Sequence, residues 1–367
     1  MDSQNVDRQK GDKESLALLA QQHDRFHMET VISRVPDQID TALAQALPRL
    51  PTGHFDKVVL SGLGGSALPA DVLNDAFADE MSGAVRVWRQ YGVPSGLDDS
   101  TLLIVSSFSG TTEETVSSVP TASRNVVVIT AGADSPLARL AGERGYSLVL
   151  ISTAGEPKGF QPRSAFGYIV TYLARILHGT GLMKDPTPTL QRLAVSLRGQ
   201  NVRSRAEEVA SWLADRIPVI YTDEMHQLSV ARIAKIKFNE NGKRASFFNA
   251  FPELNHNEMI GFMAPLGKFA VLYLHDPTSH PRIRERYEVM KKVFASEGLH
   301  HVSFMEWEMP GDSRAERVFS AVMFADWCSY TTALLDGFDP TPVALVENFK
   351  QLLTSTYGSV DAPVTHR

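Results

Sequence analysis

The feature that most restricts what this chain can fold into is an alternation. Short aliphatic, β-branched runs at 57–61, 85–88, 101–105, 125–129 and 147–151 are separated, for the most part, by stretches with helical spacing. Strands that alternate with helices build βαβ units and a parallel sheet. The runs are nearly continuous in apolar residues, as strands covered on both faces require. The pattern resumes in the second half, with strands predicted at 217–221, 269–273 and 301–304 and a last helix over 343–353. Two α/β halves of similar size hint at internal duplication, although no short repeat is present. A long apolar helix follows Pro162-Arg163 and ends near Gly179-Thr180-Gly181, and Lys184-Asp185-Pro186-Thr187-Pro188 is the linker candidate. That places one domain at 1–185 and a second at 186–367. Residues 1–30 are polar and charged and read as a mobile start leading into a helix over 14–30; the tail after Tyr357 is expected to fray.

Composition narrows the function classes. A chain of 367 residues suits two domains or one large one. Lys and Arg number 36 against 42 Asp and Glu, a net charge of −6, which argues against nucleic acid as a partner. With 43% hydrophobic and 21% charged residues the chain can bury a core. The single cysteine, Cys328, can form neither an internal disulfide nor a cysteine metal cluster, and its apolar helical setting reads as core. No apolar run follows a basic start, so no secretory signal is expected. The longest membrane-span candidate, 164–177, is short and interrupted by Arg175, so no membrane is expected either. These features point to a cytoplasmic protein.

Four segments carry chemistry. The first, Ser61-Gly62-Leu63-Gly64-Gly65-Ser66-Ala67, follows a strand. Its glycines allow a close approach to an anion, the next helix offers free N–H groups, and Ser66 adds a hydroxyl donor. It also fits the relaxed dinucleotide pattern G-x-G-x-x-A. The acidic residue expected after the next strand is missing, however, and Arg86 and Arg89 stand there instead. A tight turn without ligand is the plain alternative. The second segment, 106–115, packs hydroxyls into Ser106, Ser107, Ser109, Thr111 and Thr112 at the end of another strand. It reads as a phosphate cradle without lysines, or as simple helix capping by Ser109 or Thr111 with Glu113 or Glu114.

The third segment is Pro162-Arg163-Ser164, where an arginine at a helix start opposes the dipole. It is either functional or a surface arginine paired with a carboxylate. The fourth holds Asn239-Glu240-Asn241-Gly242-Lys243 and Pro252-Glu253-Leu254-Asn255-His256-Asn257-Glu258, among Phe247, Phe248, Phe251 and Leu254. Glu240 and His256 stand 16 residues apart, a carboxylate suited to a C–H proton and an imidazole suited to hydroxyl protons. A solvated loop is the alternative. His275, Asp276, His280, His300 and His301 lack metal-ligand spacing, so no metal site is expected.

Together these segments resemble the bifunctional phosphoglucose/phosphomannose isomerases of the sugar isomerase (SIS) domain superfamily. Gly64-Gly65-Ser66 is similar to the first phosphate loop, 107–115 to the family's S-x-S-G-x-T-x-E-T loop, and Pro162-Arg163 to its Pro-Arg. Asn239-Glu240-Asn241 and 253–258 are similar to its catalytic glutamate and histidine segments. Asp339-Pro340-Thr341-Pro342-Val343, followed by Lys350, resembles its C-terminal helix. The resemblance runs from about residue 55 to the end of the last helix, and the glutamate–histidine segment is its specific part. Thr111 stands where asparagine is common, and Leu68-Pro69-Ala70 replaces Ile-Gly-Gly.

The resemblance implies an α/β fold of two SIS subdomains, each a doubly wound parallel sheet flanked by helices. It implies aldose–ketose isomerisation of a hexose 6-phosphate through a cis-enediolate, with no metal or organic cofactor. Gly65, Ser66, Ser107, Ser109 and Thr112 would hold the phosphate. His256, assisted by Lys350, would open the ring, Glu240 would carry the proton between C1 and C2, and Arg163 would stabilise the enediolate. A homodimer is implied, with His256 supplied across the interface. The rivals are a non-catalytic SIS sugar-phosphate sensor, an aminosugar-phosphate isomerase, and an NADP-linked oxidoreductase using Arg86 or Arg89.

Overall fold

The computed structural model describes residues 15–121, 123–223 and 228–358. The expected mobile start and frayed tail fall mainly on residues outside that range. Five strands, β1 (Lys57–Ser61), β2 (Arg86–Trp88), β3 (Thr101–Ser106), β4 (Val126–Thr130) and β5 (Ser147–Leu150), form one sheet in the order β2-β1-β3-β4-β5. Four more, β6 (Ile217–Asp223), β7 (Phe247–Phe251), β8 (Phe269–His275) and β9 (Val302–Glu308), form another in the order β7-β6-β8-β9. The pairings between these strands are all parallel. The two parallel sheets are flanked by helices, so the α/β class holds.

Burial explains why the strands are readable. Every residue of β3 and of β4 is buried. Val59, Leu103, Val105, Val126, Val128 and Leu137 close one core, and Tyr221, Phe251, Tyr273, Tyr287, Phe294 and Val302 close another. In each sheet the first strand lies inside, and the chain winds outward from it in both directions. The loops leaving β1 and β3 therefore diverge, and a crevice opens between them at the carboxyl edge. The same holds for β6 and β8.

Three expectations change. The sequence shows 247–251 only as part of an apolar wall; in the structure it is an edge strand, β7. Its end is fixed by Phe251, fully buried, with ring centroids 5.8 Å from Tyr221, 5.4 Å from Tyr273 and 6.4 Å from Tyr287. Each such edge-on pair adds about 0.5–1.5 kcal/mol beyond burial. The helix expected over 14–30 is broken: one helix covers 15–23 and another Met28–Ser33. Asp24 causes the break, because its carboxylate accepts the Met28 and Glu29 N–H groups at 2.7 and 3.0 Å, and His27 turns to φ +57°. The most membrane-like helix is Arg314–Leu335 rather than 164–177. It is long and apolar enough to span a bilayer, but 94% of its apolar window is buried inside the protein. It is a core helix, and burial pushes the Cys328 thiol within it well up.

The chain divides into two compact units. Among the described residues, one holds Ser33–Arg198 and 343–358; the other holds 15–32 and Gly199–Pro342. The division is not a single cut, because the chain crosses between units three times. The first unit contains the five-stranded sheet and the second the four-stranded one.

Candidate active site

At the crevice of the first sheet, two of the segments interlock. After β1 the chain makes a tight turn at Gly64–Ser66 and enters the Leu68–Ala76 helix, with Pro69 in its first turn. The Ser66 hydroxyl accepts the Phe108 N–H of the loop after β3, at 3.0 Å. In that loop the Ser107 hydroxyl donates to Thr112 Oγ1 at 3.1 Å and accepts the Gly110 N–H at 3.1 Å. Ser109 Oγ accepts from the Thr111 hydroxyl at 3.0 Å. Ser66, Ser109 and Thr112 thus each keep a hydroxyl proton to donate, while Ser107 orients Thr112. Capping by Ser109 or Thr111 does not occur. The cap position of the Glu113–Ser117 helix is Thr112, and its side chain makes no capping bond.

Arg163 joins this crevice. A Cβ at Gly65 would lie 2.6 Å from Arg163 Cα and 2.7 Å from its nitrogen, so the glycine turn rests directly on the arginine backbone. Arg163 lies in a short turn, Pro162–Ser164, before the Phe166–Gly179 helix. At 5% exposure it is not the surface arginine of the alternative reading. Beside the cradle, over the ends of β3 to β5, lies a hollow of about 410 Å3 lined by Phe108, Ser109, Gly132, Thr153, Glu156 and Phe160. Burial raises the Glu156 carboxyl there, against the Tyr168 hydrogen bond and Arg34.

Glu240 and His256 belong to the second unit. Glu240 ends the Leu228–Glu240 helix, whose last turns are held from below. Lys237 pairs with Asp326 at 2.6 Å, both at most 7% exposed, and Asn241 Nδ2 reaches the Ser329 hydroxyl at 3.2 Å. The helix returns from the carboxyl end of β6 to the amino end of the parallel strand β7, so Glu240 lies near the amino end. His256 lies beyond the carboxyl end, exposed, on the one-turn helix Leu254–Asn257. The strand between them has five residues, roughly 15 Å of extended chain. Glu258, next to the histidine segment, accepts the Tyr221 hydroxyl at 2.7 Å and an Asn249 amide N–H, which ties this turn to the sheet.

With this geometry in view, the chain can be set beside known proteins. A profile of the bacterial phospho-glucose isomerase C-terminal SIS domain matches residues 202–353. A bifunctional phosphoglucose/phosphomannose isomerase of Caldicellulosiruptor bescii is 32% identical over 316 residues, covering 82% of this chain and 90% of that one. This chain belongs to the bifunctional phosphoglucose/phosphomannose isomerase family. A D-glucosamine-6-phosphate 4-epimerase of Sulfolobus acidocaldarius is 30% identical over 240 residues, covering 63% of this chain and 72% of that one. A hypothetical protein of Thermus thermophilus has a crystal structure that superposes with a TM-score of 0.68 at 17% identity, covering 96% of each chain. That likeness concerns the fold alone.

Within this family member, Lys350 stands apart from the other candidates. It is exposed on the Ala344–Tyr357 helix, no residue of which is buried, and lies 3.4 Å from Glu347. Among the described residues, no group of three or more His, Cys, Asp or Glu could hold a metal ion. His301 instead bonds the Phe262 carbonyl at 2.9 Å, and His275 the Tyr273 hydroxyl at 3.1 Å.

The loop after β8 occupies the place that the hydroxyl loop holds after β3. There Asp276 accepts the Thr278 N–H at 2.8 Å and its hydroxyl at 2.7 Å, and lies 3.0 Å from Arg317. Ser279 donates to Asp223. This carboxylate-lined crevice and the Lys237–Asp326 pair carry no motif in the sequence. Asp276 enters the sequence reading only as a rejected metal ligand.

Proposed function

We propose that this chain catalyses the reversible isomerisation of glucose 6-phosphate and mannose 6-phosphate to fructose 6-phosphate through a metal-independent cis-enediolate. The observation that carries the reading is the contact of Gly65 with the Arg163 backbone beside the hydroxyl loop, which brings the turn of a buried arginine against a cradle of neutral donors. Family membership supports it. Gly65, Ser66, Ser107, Ser109 and Thr112 hold the phosphate, and remote phosphate binding positions the reacting carbons. His256 moves a proton at the ring oxygen to open the sugar, with Lys350 assisting. Glu240 carries the proton between C1 and C2. Arg163 faces the negative charge that develops on the enediolate. The cradle belongs to an N-terminal SIS domain and the Glu240–His256 segment to a C-terminal one.

A homodimer is part of the proposal. Glu240 and His256 lie at opposite ends of β7, so a sugar at Glu240 of one protomer takes its histidine from the partner. Ile260, Met263 and Leu266, 65–90% exposed just after His256, suit such a contact. A cytoplasmic location follows from a phosphorylated substrate that does not cross membranes.

A second reading, a hexosamine 6-phosphate as substrate, is favoured by the likeness to the epimerase. The test is fructose 6-phosphate formation from glucose 6-phosphate and from mannose 6-phosphate, with chelator present, beside Glu240→Gln. Turnover of both, reduced about 10²–10⁴-fold by the substitution, supports the first reading. Turnover of glucosamine 6-phosphate alone moves the assignment to the second. Binding without turnover of any leaves the sensor.

A further inference from the structure

We propose that Lys243 is a positioning residue for Glu240, holding the end of its helix and the segment before the Lys350 helix on one ammonium. The inference rests on the role given to Glu240 above. Lys243 sits in the left-handed region at φ +56°, which disfavours a side chain with a Cβ. Glycine or asparagine is the usual occupant after a helix end. A residue placed against local preference marks a constraint from elsewhere, and here that constraint is visible. The Lys243 ammonium donates to the carbonyls of Glu240 at 2.5 Å, Pro342 at 2.7 Å and Pro340 at 3.1 Å.

Each of the three acceptors suits such a donor. The carbonyl of Glu240 closes a helix, where the last carbonyls lack intrahelical partners and the dipole favours a cation. Pro340 and Pro342 have no N–H of their own, so their segment cannot be fixed by a backbone ladder. Asp339 secures part of it by accepting the Thr341 N–H at 3.0 Å. Two residues after Pro342 the Ala344–Tyr357 helix begins. Lys243 thus fixes, through one charge, the backbone that carries the proton-transfer carboxylate and the backbone from which the Lys350 helix starts. Charge-assisted bonds to three carbonyls are stronger than neutral ones, and their loss loosens Glu240 without touching the phosphate cradle.

The test is Lys243→Met, which keeps the aliphatic stem and removes the donors, assayed with Lys243→Arg, Glu240→Gln and the Lys243→Met/Glu240→Gln double variant. Lys243→Met should lower kcat at least about tenfold with KM within about threefold, because misplacement of a reacting group is felt in the chemical step. Lys243→Arg should recover part of that loss. The double variant should be no slower than Glu240→Gln alone, since Lys243 acts through Glu240. Additive losses, or a loss in KM alone, would overturn the proposal. Hydrogen exchange supplies a readout that needs no activity. Amides at 241–244 and 341–346 should exchange faster in Lys243→Met than in wild type, and unchanged exchange overturns the tether even if Lys243→Met folds poorly elsewhere. If wild type isomerises neither hexose 6-phosphate, the reading of the reaction fails separately, and the exchange result alone decides the tether.

Discussion

Gly65 rests on the backbone of Arg163, so closely that a Cβ at 65 would lie 2.6 Å from Arg163 Cα and 2.8 Å from the Pro162 carbonyl carbon. This contact joins two segments that lie nearly a hundred positions apart and gives the glycine turn a purpose beyond its own bend. All three atoms it meets are backbone, so a larger residue must move one loop or the other.

Gly65→Ala should therefore lower kcat/KM by about 10²-fold, the scale of a 1 Å misplacement at a reacting centre. Steady-state kinetics beside a thermal melt checks this. Activity within twofold of wild type would mean that the loops yield freely and that the contact does not set the site.

Arg163→Ala should lower kcat by about 10²–10³, as loss of a preorganised charge does. KM should change less, because the enediolate charge exists only in the transition state. An effect confined to KM would make Arg163 a binding group.

The placement of Glu240 before β7 and His256 after it makes a mixing experiment decisive. Glu240→Gln and His256→Ala should each be nearly inactive alone. Co-refolded in equal amounts, they should regain about a quarter of wild-type activity, because random pairing restores one of two sites in half of the dimers. No recovery would place both groups in one subunit's site.

Asp276 should govern acid stability. Burial pushes its carboxyl up, but the Thr278 bonds and Arg317 outweigh burial and hold it below its ordinary value of 3.8. A depressed carboxyl stabilises the folded state above the unfolded value and loses that contribution as pH falls through the folded one. Asp276→Asn should thus cost about 3–5 kcal/mol at pH 7, since it strands buried Arg317. The difference should shrink below about pH 4, where wild type protonates as well. Urea midpoints of both proteins at pH 7 and pH 3 test this; a gap independent of pH would refute the linkage.

Much of this architecture is legible in the residues because its signals are local. Runs such as Val126–Thr130 are buried on both faces, and no polar residue interrupts them until the end. β7 is not legible, because Asn249 sits at its centre and Phe247, its first residue, is exposed, as an edge strand allows. The broken first helix is hidden because spacing cannot tell whether Asp24 lies within a helix or caps the next one. In the site, glycines and hydroxyls advertise an anion loop by type alone. Their division of labour does not follow from type. Whether Ser107 faces a ligand or holds Thr112 depends on a turn made by Gly110 at φ +69°. The pairing of Lys237 with Asp326 has no local signal, since the two meet only when separate helices pack.

The two sheets share one winding, yet their crevices differ in how they satisfy the same donors. After β3 the loop offers hydroxyls and amides of no net charge. After β8 the corresponding donors already face Asp276, a carboxylate carried by the chain itself. The second crevice thus has its counter-ion covalently supplied, so a chain with two such crevices should titrate with one equivalent of hexose phosphate rather than two.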